Sequence, residues 1–379
     1  WIEARRELMM GMVRDPQFGP VVMVGLGGIL AEALSDTACR LLPLSRADVL
    51  EMTDELRASR VLGAFRGESA VNREALASGL LKLAALAADY PEIAEVDLNP
   101  VRVKADGSLH IVDALVACRP PVDRQRPCAS VDPADIRNLF YPRRIAFVGA
   151  SAQFGKWGHM LYSNTVGGGY QGEVYLVNPR GGTIAGRTVY QSISEVPAAI
   201  DLAVVTIPAA AVPSLLPELE RCGIRNMLLI TSGFGETGES GRELEEALVR
   251  EARGGGVLIL GPNTMGICNP HIDFYCTGSP VHPKAGDTAV VAQSGNMGTQ
   301  LLAFAEQQGL GIRGFAGSGN EAMLTIEDFL DGFERDSLTR TVMLYVESVK
   351  NVPRFFEIAR RVSRRKPIVL LKGGQSRAG

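Results

Sequence analysis

"RIAFVGASAQFGKWG", residues 144–158, opens with an apolar run, Ile145 to Val148, that stops at Gly149 and gives way to small, polar and glycine positions. A β-branched and aromatic run bounded by glycine reads as a short buried strand, and the segment after the loop is placed to open a helix. A strand, a glycine loop and a helix N-terminus in that order let a phosphate approach bare backbone N–H groups, with Lys156 adding charge. The loop is not a Walker A loop: five residues separate Gly149 from Gly155, and Trp157 stands where a magnesium-binding Ser or Thr would be. Nor is it G-x-G-x-x-G.

The same unit recurs along the chain. "EVYLVNP" (from 173), "LAVVTIP" (202), "MLLITSG" (227) and "VLILGPN" (257) follow the first strand, and a second series runs "TAVVAQSG" (288), "IRGFAGSGN" (312), "TVMLYVES" (341) and "PIVLLKGG" (367). Their starts lie 24 to 31 residues apart, the length of a βαβ unit, and the segments between include amphipathic helices such as Arg242 to Arg253. This spells two doubly wound parallel sheets in tandem. Such sheets bind ligands beyond the carboxyl ends of their strands, and those ends here read GAS, NPR, PAA, SGFGE, GPN, QSG, SGN, ES and KGG. Any one of these loops could be a plain tight turn; so many on one edge point to a binding edge.

"CRPPVDRQRPCASVDPAD", 118–135, crowds proline and charge without periodicity and reads as a linker. Before it, helices are expected from about Ser45 and Asn72, followed by "IAEVDLNPVRVKADGSLHIVDALV" (93–116), two β-runs joined through an Ala105-Asp106-Gly107 turn. Asn99 and Asp113 stand fourteen apart on these runs, so an amide oxygen and a carboxylate could converge on a hard cation, although Asn-Pro alone is more often a turn.

Three further motifs carry chemistry. "QSGNMG" (293–298) puts Ser294 and Gly295 at a helix start, a seat for phosphate or a plain N-cap worth about 1 kcal/mol. Glu347 ends an apolar strand, as a solvated terminus or as an acid aimed into a site. "GGGYQG" (167–172) and "GFGETG" (233–238) match the dinucleotide fingerprint by letter, but the first precedes a strand and the second has no ribose-binding acid at the end of the next strand. A nicotinamide oxidoreductase is therefore a weak rival, and the absence of G-x-S-x-G argues against a serine hydrolase.

Composition sets the frame. The chain has 379 residues, room for two or three domains, with 46% hydrophobic and 21% charged residues and a net charge of −3. That balance gives no electrostatic reason to expect nucleic acid or a membrane as partner. The longest apolar run, Val21 to Ala31, is too short to cross a bilayer, and the first residues lack a signal-peptide core, so a cytoplasmic protein is expected. Six cysteines without C-x-x-C and four scattered histidines form neither a disulfide framework nor a metal cluster.

On "FVGAS", "GEVYLVNP", "DLAVVTIPA", "SGFGETGE", "LGPNTMGI", "VVAQSGNMG", "GSGNEA", "LYVESVK" and "RRKPIVLLKGG", the run from about Arg144 to Gly379 resembles the CoA-binding and first ligase-CoA domains of NDP-forming acyl-CoA synthetases, relatives of succinyl-CoA synthetase. Residues 1 to about 117, with "GMVRDPQFGPVVMVGLGGI", "FRGE" and "EVDLNP", are similar to the carboxyl-terminal part of that family's ATP-grasp domain. The resemblance implies an α/β protein: the carboxyl-terminal part of an ATP-grasp domain (1–117), a linker (118–135), a Rossmann-like CoA-binding domain (136–275) and a truncated flavodoxin-like ligase-CoA domain (276–379), the last two with parallel sheets.

It further implies an acid–thiol ligase that interconverts acid, CoA and ATP with acyl-CoA, ADP and phosphate through an acyl phosphate and a phosphohistidine. The expected cofactors are CoA, ATP/ADP and Mg2+; the expected partners are a small-molecule carboxylic acid and CoA, with no nucleic acid or membrane, in a homo-oligomer built through the ligase-CoA domains. By match, Gly149, Ser151, Lys156, Asn178, Pro208 and Asn263 would line the CoA site. Ser294, Gly295 and Asn320 would hold phosphate or acyl phosphate, Glu347 would orient the phosphorylated histidine, and Asn99 and Asp113 would be the magnesium pair.

Met323 stands where family members usually carry Asp, a departure in the acyl pocket, and the acid stays open between acetate, a branched or aryl acid and a larger carboxylate. The family's Ser-His-Thr-Gly loop, due just after "LLKGGQSRAG", does not occur in these residues. The chain is thus expected to be an internal segment that binds CoA without turning over alone. A CoA-responsive regulatory module is the rival from another class.

Overall fold

The structure, a computed structural model, describes residues 4, 6–15, 18–28, 36–64, 67–120 and 131–373. The end of the glycine loop (374–379), most of the expected linker (121–130) and the Phe65-Arg66 part of "FRGE" lie outside the described residues. The chain forms two compact units, Trp1–Gln125 and Arg126–Gly379.

The first unit is an antiparallel sheet backed by two helices. Its strands are β1 (Arg6–Asp15), β2 (Gly19–Leu26), β3 (Thr37–Leu41), β4 (Ile93–Val103), β5 (Leu109–Ile111) and β6 (Leu115–Cys118). They run in the order β3-β2-β1-β4-β5, with β6 also on β4. The helices are α1 (Arg46–Glu55) and α2 (Arg73–Asp89), and both begin where the sequence places a cap. Ser45 and Asp48 form a reciprocal capping box, and the Asn72 side chain accepts the Ala75 N–H at 2.9 Å. Alternate residues Leu8, Met10 and Met12 of β1 turn inward to Leu76 and Leu80 of α2 and Val22 and Val24 of β2. The Asn99-Pro100 step corrects the turn alternative: it lies inside β4, because Val101 to Val103 continue the ladder against β5.

Every strand read in the repeated series of the second unit forms: β7 (Arg144–Val148), β8 (Glu173–Val177), then β9 (Thr183–Ile184), β10 (Arg187–Tyr190), β11 (Leu202–Val205), β12 (Asn226–Leu229), β13 (Leu258–Leu260), β14 (Gly266–Asn269), β15 (Phe274–Thr277), β16 (Ala285–Ala292), β17 (Ile312–Gly317), β18 (Thr341–Val346) and β19 (Ile368–Lys372). The helices are α3 (Pro133–Phe140), α4 (Trp157–Gly167), α5 (Val212–Arg221), α6 (Glu239–Gly254), α7 (Gly295–Gln308), α8 (Ile326–Arg335) and α9 (Val352–Ser363). One sheet runs β13-β12-β11-β7-β8-β10-β9 and the other β15-β14-β17-β16-β18-β19.

The sheets are parallel as expected, and an antiparallel hairpin is added at an edge of each. β9 and β10 are joined by Ala185 (φ 48°) and Gly186 (φ 76°), a two-residue turn with both angles positive that leaves no room for a crossover helix. β14 and β15 are joined by Pro270 to Asp273, again too few residues for a crossover, so β15 returns antiparallel and β14 pairs antiparallel with β17. Residues 266–277 thereby belong to the second sheet. Buried Phe147, Phe274, Phe315 and Phe329 anchor the interior, and Phe140 of α3 meets Phe333 of α8 at 5.5 Å between ring centroids. Gly298 lets α7 lie against β17, since a Cβ there would stand 2.7 Å from the Phe315 ring.

Candidate functional site

Both sheets reverse strand order beside the first of their parallel strands. In the first, β8 lies on one side of β7 and β11 on the other; in the second, β17 and β18 flank β16. At such a reversal the loops at the carboxyl ends of the two neighbouring strands diverge and leave a crevice, where open α/β sheets bind their ligands. The crevices fall after β7 and β11 and after β16 and β18, at the loops singled out by the motif reading.

The first crevice is tightly built. Gly149 sits at φ 94°, and a Cβ there would stand 2.7 Å from Thr206 Oγ1 and 3.1 Å from Ile207, which places the loop just before Pro208 against the glycine. The Gly149 and Ala150 N–H groups both donate to the Val177 carbonyl, and the Asn178 amide donates to the Ala150 carbonyl at 2.9 Å. Gly149, Asn178 and Pro208 are thus brought together. Ser151 makes a local turn, its Oγ accepting the Gln153 N–H at 3.0 Å. Lys156 is the N-cap residue of α4 without a side-chain cap bond, and its exposed ammonium has no ion-pair partner among the described residues. The first N–H groups of α4 therefore end beside an uncommitted positive charge.

Asn263 links the two sheets. It lies at φ 58°, and its amide donates to Asn320 Oδ1 at 3.2 Å. The Asn320 amide donates in turn to Glu236 Oε2 (2.5 Å) and Glu245 Oε2 (2.9 Å). Burial pushes the Glu236 carboxyl upward, but donation from Asn320 and from the backbone of Gly233 and Phe234 outweighs it and holds the group below the usual range.

In the second crevice Ser294 caps α7, its Oγ accepting the Met297 N–H at 3.4 Å, and Gly295 lies so close to Met265 that a Cβ would stand 2.3 Å from that side chain. The Gln293 side chain joins this helix start to the Glu347 turn. Glu347 itself is exposed.

Thr206, Glu236, Gln293 and Glu321 lie inside the quoted motifs but carry no role there, and Glu245 lies in none of them. Gln293 and Glu321 adjoin singled-out residues, but their roles depend on partners far along the chain, which spacing does not encode.

In the first unit, Val112 N–H donates to the Pro100 carbonyl at 3.1 Å, which sets Asn99 and Asp113 on adjoining stretches. Asn99 Oδ1 accepts the Gly28 N–H at 3.1 Å, and Asp113 Oδ1 accepts the following N–H. Asp97, also missed, has a buried oxygen without a hydrogen-bond partner, and burial, then Glu95 and Asp113, push its carboxyl upward. Among the described residues no group of three His, Cys, Asp or Glu could hold a metal ion. An oxygen-only set of Asn99 and Asp113 beside an orphaned Asp97 oxygen fits a hard cation that keeps water and phosphate ligands. No described helix is long and apolar enough to cross a membrane.

Comparison with known proteins matches residues 2–118 to the ATP-grasp domain family, 143–270 to the CoA binding domain family and 285–379 to the succinyl-CoA ligase like flavodoxin domain family. The chain is 34% identical over its whole length to the ADP-forming acetate–CoA ligase II of Archaeoglobus fulgidus, of which it covers 55%. Over 64% of its length it is 39% identical to the alpha subunit of ADP-forming acetate–CoA ligase I of Pyrococcus furiosus, covering 53% of that protein. A solved structure from Ca. Korarchaeum cryptofilum, a dinucleotide forming acetyl-coenzyme A synthetase 1 in complex with phosphate and ADP, matches with TM-score 0.61 at 35% identity, over 64% of this chain and 53% of that one. The chain spans about half the length of each of these relatives.

Proposed function

From a chain that belongs to the family of ADP-forming acetate–CoA ligases, we propose that the second unit carries the CoA and phosphoryl sites of an NDP-forming acyl-CoA synthetase, and the first unit part of its nucleotide site. The observation that carries this reading is the pair of switch-point crevices, each ending at a helix start free of acidic side chains in its first turn and tied together through Asn263 and Asn320. The α4 N-terminus and Lys156 would take the phosphates of CoA, with Gly149 and Ala150 allowing close approach and Asn178, Pro208 and Asn263 lining the crevice. Phosphate would sit at Ser294 and Gly295, with the Asn320 amide turning to it from Glu236 and Glu245. A phosphate oxygen attacks the thioester carbonyl, the C–S bond breaks, and CoA leaves as thiolate while acyl phosphate forms. The phosphoryl group would then pass to a histidine carrier and on to ADP, and Glu347 would orient and stabilise that phosphorylated histidine.

In the first unit, Asn99 and Asp113 would hold Mg2+, which when bound neutralises nucleotide phosphate charge. The substrates are soluble anions, a small carboxylic acid and CoA, in keeping with a cytoplasmic setting.

Calorimetric titration of CoA into the wild type and Lys156→Glu tests the reading. Reversing the charge weakens CoA by at least about 10-fold, some 1.4 kcal/mol. Equal affinity in the two proteins, or NADH binding tightly at this crevice in a fluorescence titration, overturns it.

A further inference from the structure

Behind the turn that carries Asn320 lies a carboxyl group that the proposed reaction does not use. Glu321 is 3% exposed and sits at φ 56°, a left-handed conformation that side chains other than glycine's rarely adopt. Its Oε1 accepts the Ser318 hydroxyl at 2.8 Å, whereas Oε2 is buried with no hydrogen-bond partner. Burial pushes this carboxyl up to about 8; Gln293 and Ser318 act to lower it, and the Glu327 charge adds to the rise.

The charged groups around it come from every side. Glu327 of α8, 0% exposed, has an unpartnered Oε2 of its own; Lys350 follows β18 and acts to lower the Glu321 carboxyl. Beyond Asn320 stand Glu236 and Glu245, both already turned toward its amide. The turn itself is tied at both ends, Ser318 N–H to the Ala292 carbonyl at 2.9 Å and Ala322 N–H to the Gly261 carbonyl at 3.1 Å.

We propose that Glu321 is a positioning residue of the phosphate rim: through Ser318 it closes the turn from the inside and so fixes the Asn320 backbone, from which the amide turns from Glu236 and Glu245 to a bound anion. The proposal rests on the reading of this rim as a phosphoryl site. Glu321 does its work as an uncharged acid. A carboxylate in its place would add a buried negative charge beside Glu327 and oppose a phosphate seated at the positive end of α7. As an acid it keeps the turn closed while leaving that field intact.

The test titrates inorganic phosphate into the 379-residue chain between about pH 6.5 and 9 for the wild type, Glu321→Gln and Glu321→Ala, with CoA titrated alongside. Wild-type phosphate affinity is expected to fall about 10-fold as pH rises through about 8. Glu321→Gln keeps the low-pH affinity and shows only the slope that phosphate's own ionisation imposes, and Glu321→Ala is about 10-fold weaker than Glu321→Gln throughout. Ionisation of phosphate itself is common to all three and cancels in the comparison. A Glu321→Gln profile that declines like the wild type's, or wild-type affinity in Glu321→Ala, overturns the proposal and leaves the rim's assignment standing. A wild type that binds CoA but no phosphate at any pH overturns the phosphoryl reading, and this proposal with it.

Discussion

The side-chain oxygen of Gln293 accepts the backbone N–H groups of both Glu347, at 2.6 Å, and Ser348, at 2.9 Å. The Gln293 amide closes the clamp by donating to the Ser348 carbonyl at 2.7 Å. One side chain from the end of β16 thus substitutes for a further rung of the sheet and holds the turn after β18 beside the start of α7. Glu347 owes its position to this clamp and to the Lys372 ammonium, which donates to the Glu347 carbonyl at 2.8 Å.

Removing the clamp should therefore act on the phosphoryl crevice alone. Gln293→Ala is expected to lower phosphate affinity about 10-fold, the worth of one or two lost hydrogen bonds, and to leave CoA affinity within about two-fold. Calorimetry on the two ligands checks this. Equal loss on both would mean that the variant had disturbed the unit as a whole.

A methyl group at position 158 should be poorly tolerated. A Cβ on Gly158 would stand 2.2 Å from the Gly149 carbonyl oxygen, where α4 crosses the loop. Gly158→Ala is expected to cost about 1–3 kcal/mol in urea denaturation and to weaken CoA, because relief of the clash moves the helix start away from the loop. Gly254 is the control: nothing lies within 4 Å of its Cβ position near the end of α6. There Gly254→Ala should stabilise by about 0.5–1 kcal/mol through helix propensity.

Arg313 and Asp336 form a largely buried pair, Nε to Oδ2 at 2.6 Å, with side chains 4% and 21% exposed. Asp336→Asn should destabilise by about 3 kcal/mol, since it leaves the guanidinium charge without its partner. Burial pushes the Asp336 carboxyl upward, but the Arg313 and Thr339 hydrogen bonds more than offset that and hold it below its ordinary 3.8. Its stabilisation is thus present above about pH 3.8 and is lost as pH falls through the depressed folded value, an acid-limb loss that the Asn variant should not show.

Glu321 should act at the opposite end of the pH scale. Its carboxyl, ordinarily near 4.5, is raised to about 8 in the folded chain, so the folded state keeps a proton that the unfolded chain gives up. Stability is full below about 4.5 and falls by up to about 1.4 kcal/mol per pH unit toward 8. Glu321→Gln should flatten that slope in urea denaturation between about pH 5 and 8; an unchanged slope would assign it to another group.

The repeated strands, their carboxyl-terminal loops and the caps at Ser45 and Asn72 were legible in the sequence because each depends on neighbours within a few residues. Periodicity of two, glycine where the backbone must turn through positive φ, and an Asn or Ser before a helix are local physics. They sufficed for the α/β architecture and for setting Gly149, Lys156, Ser294 and Glu347 in the loops after β7, β16 and β18. The hairpins at 183–190 and 266–277 were less legible, since short β-runs without a helix between them do not announce which edge they will join. Tertiary structure alone decided the rest: that Asn263 would meet Asn320, that Gln293 would clamp residues 54 and 55 positions away, and that Glu321 would lose contact with water. Burial and long-range hydrogen bonding depend on how sheets and helices pack, and a residue's charge state follows its surroundings; neither is written in the spacing of letters.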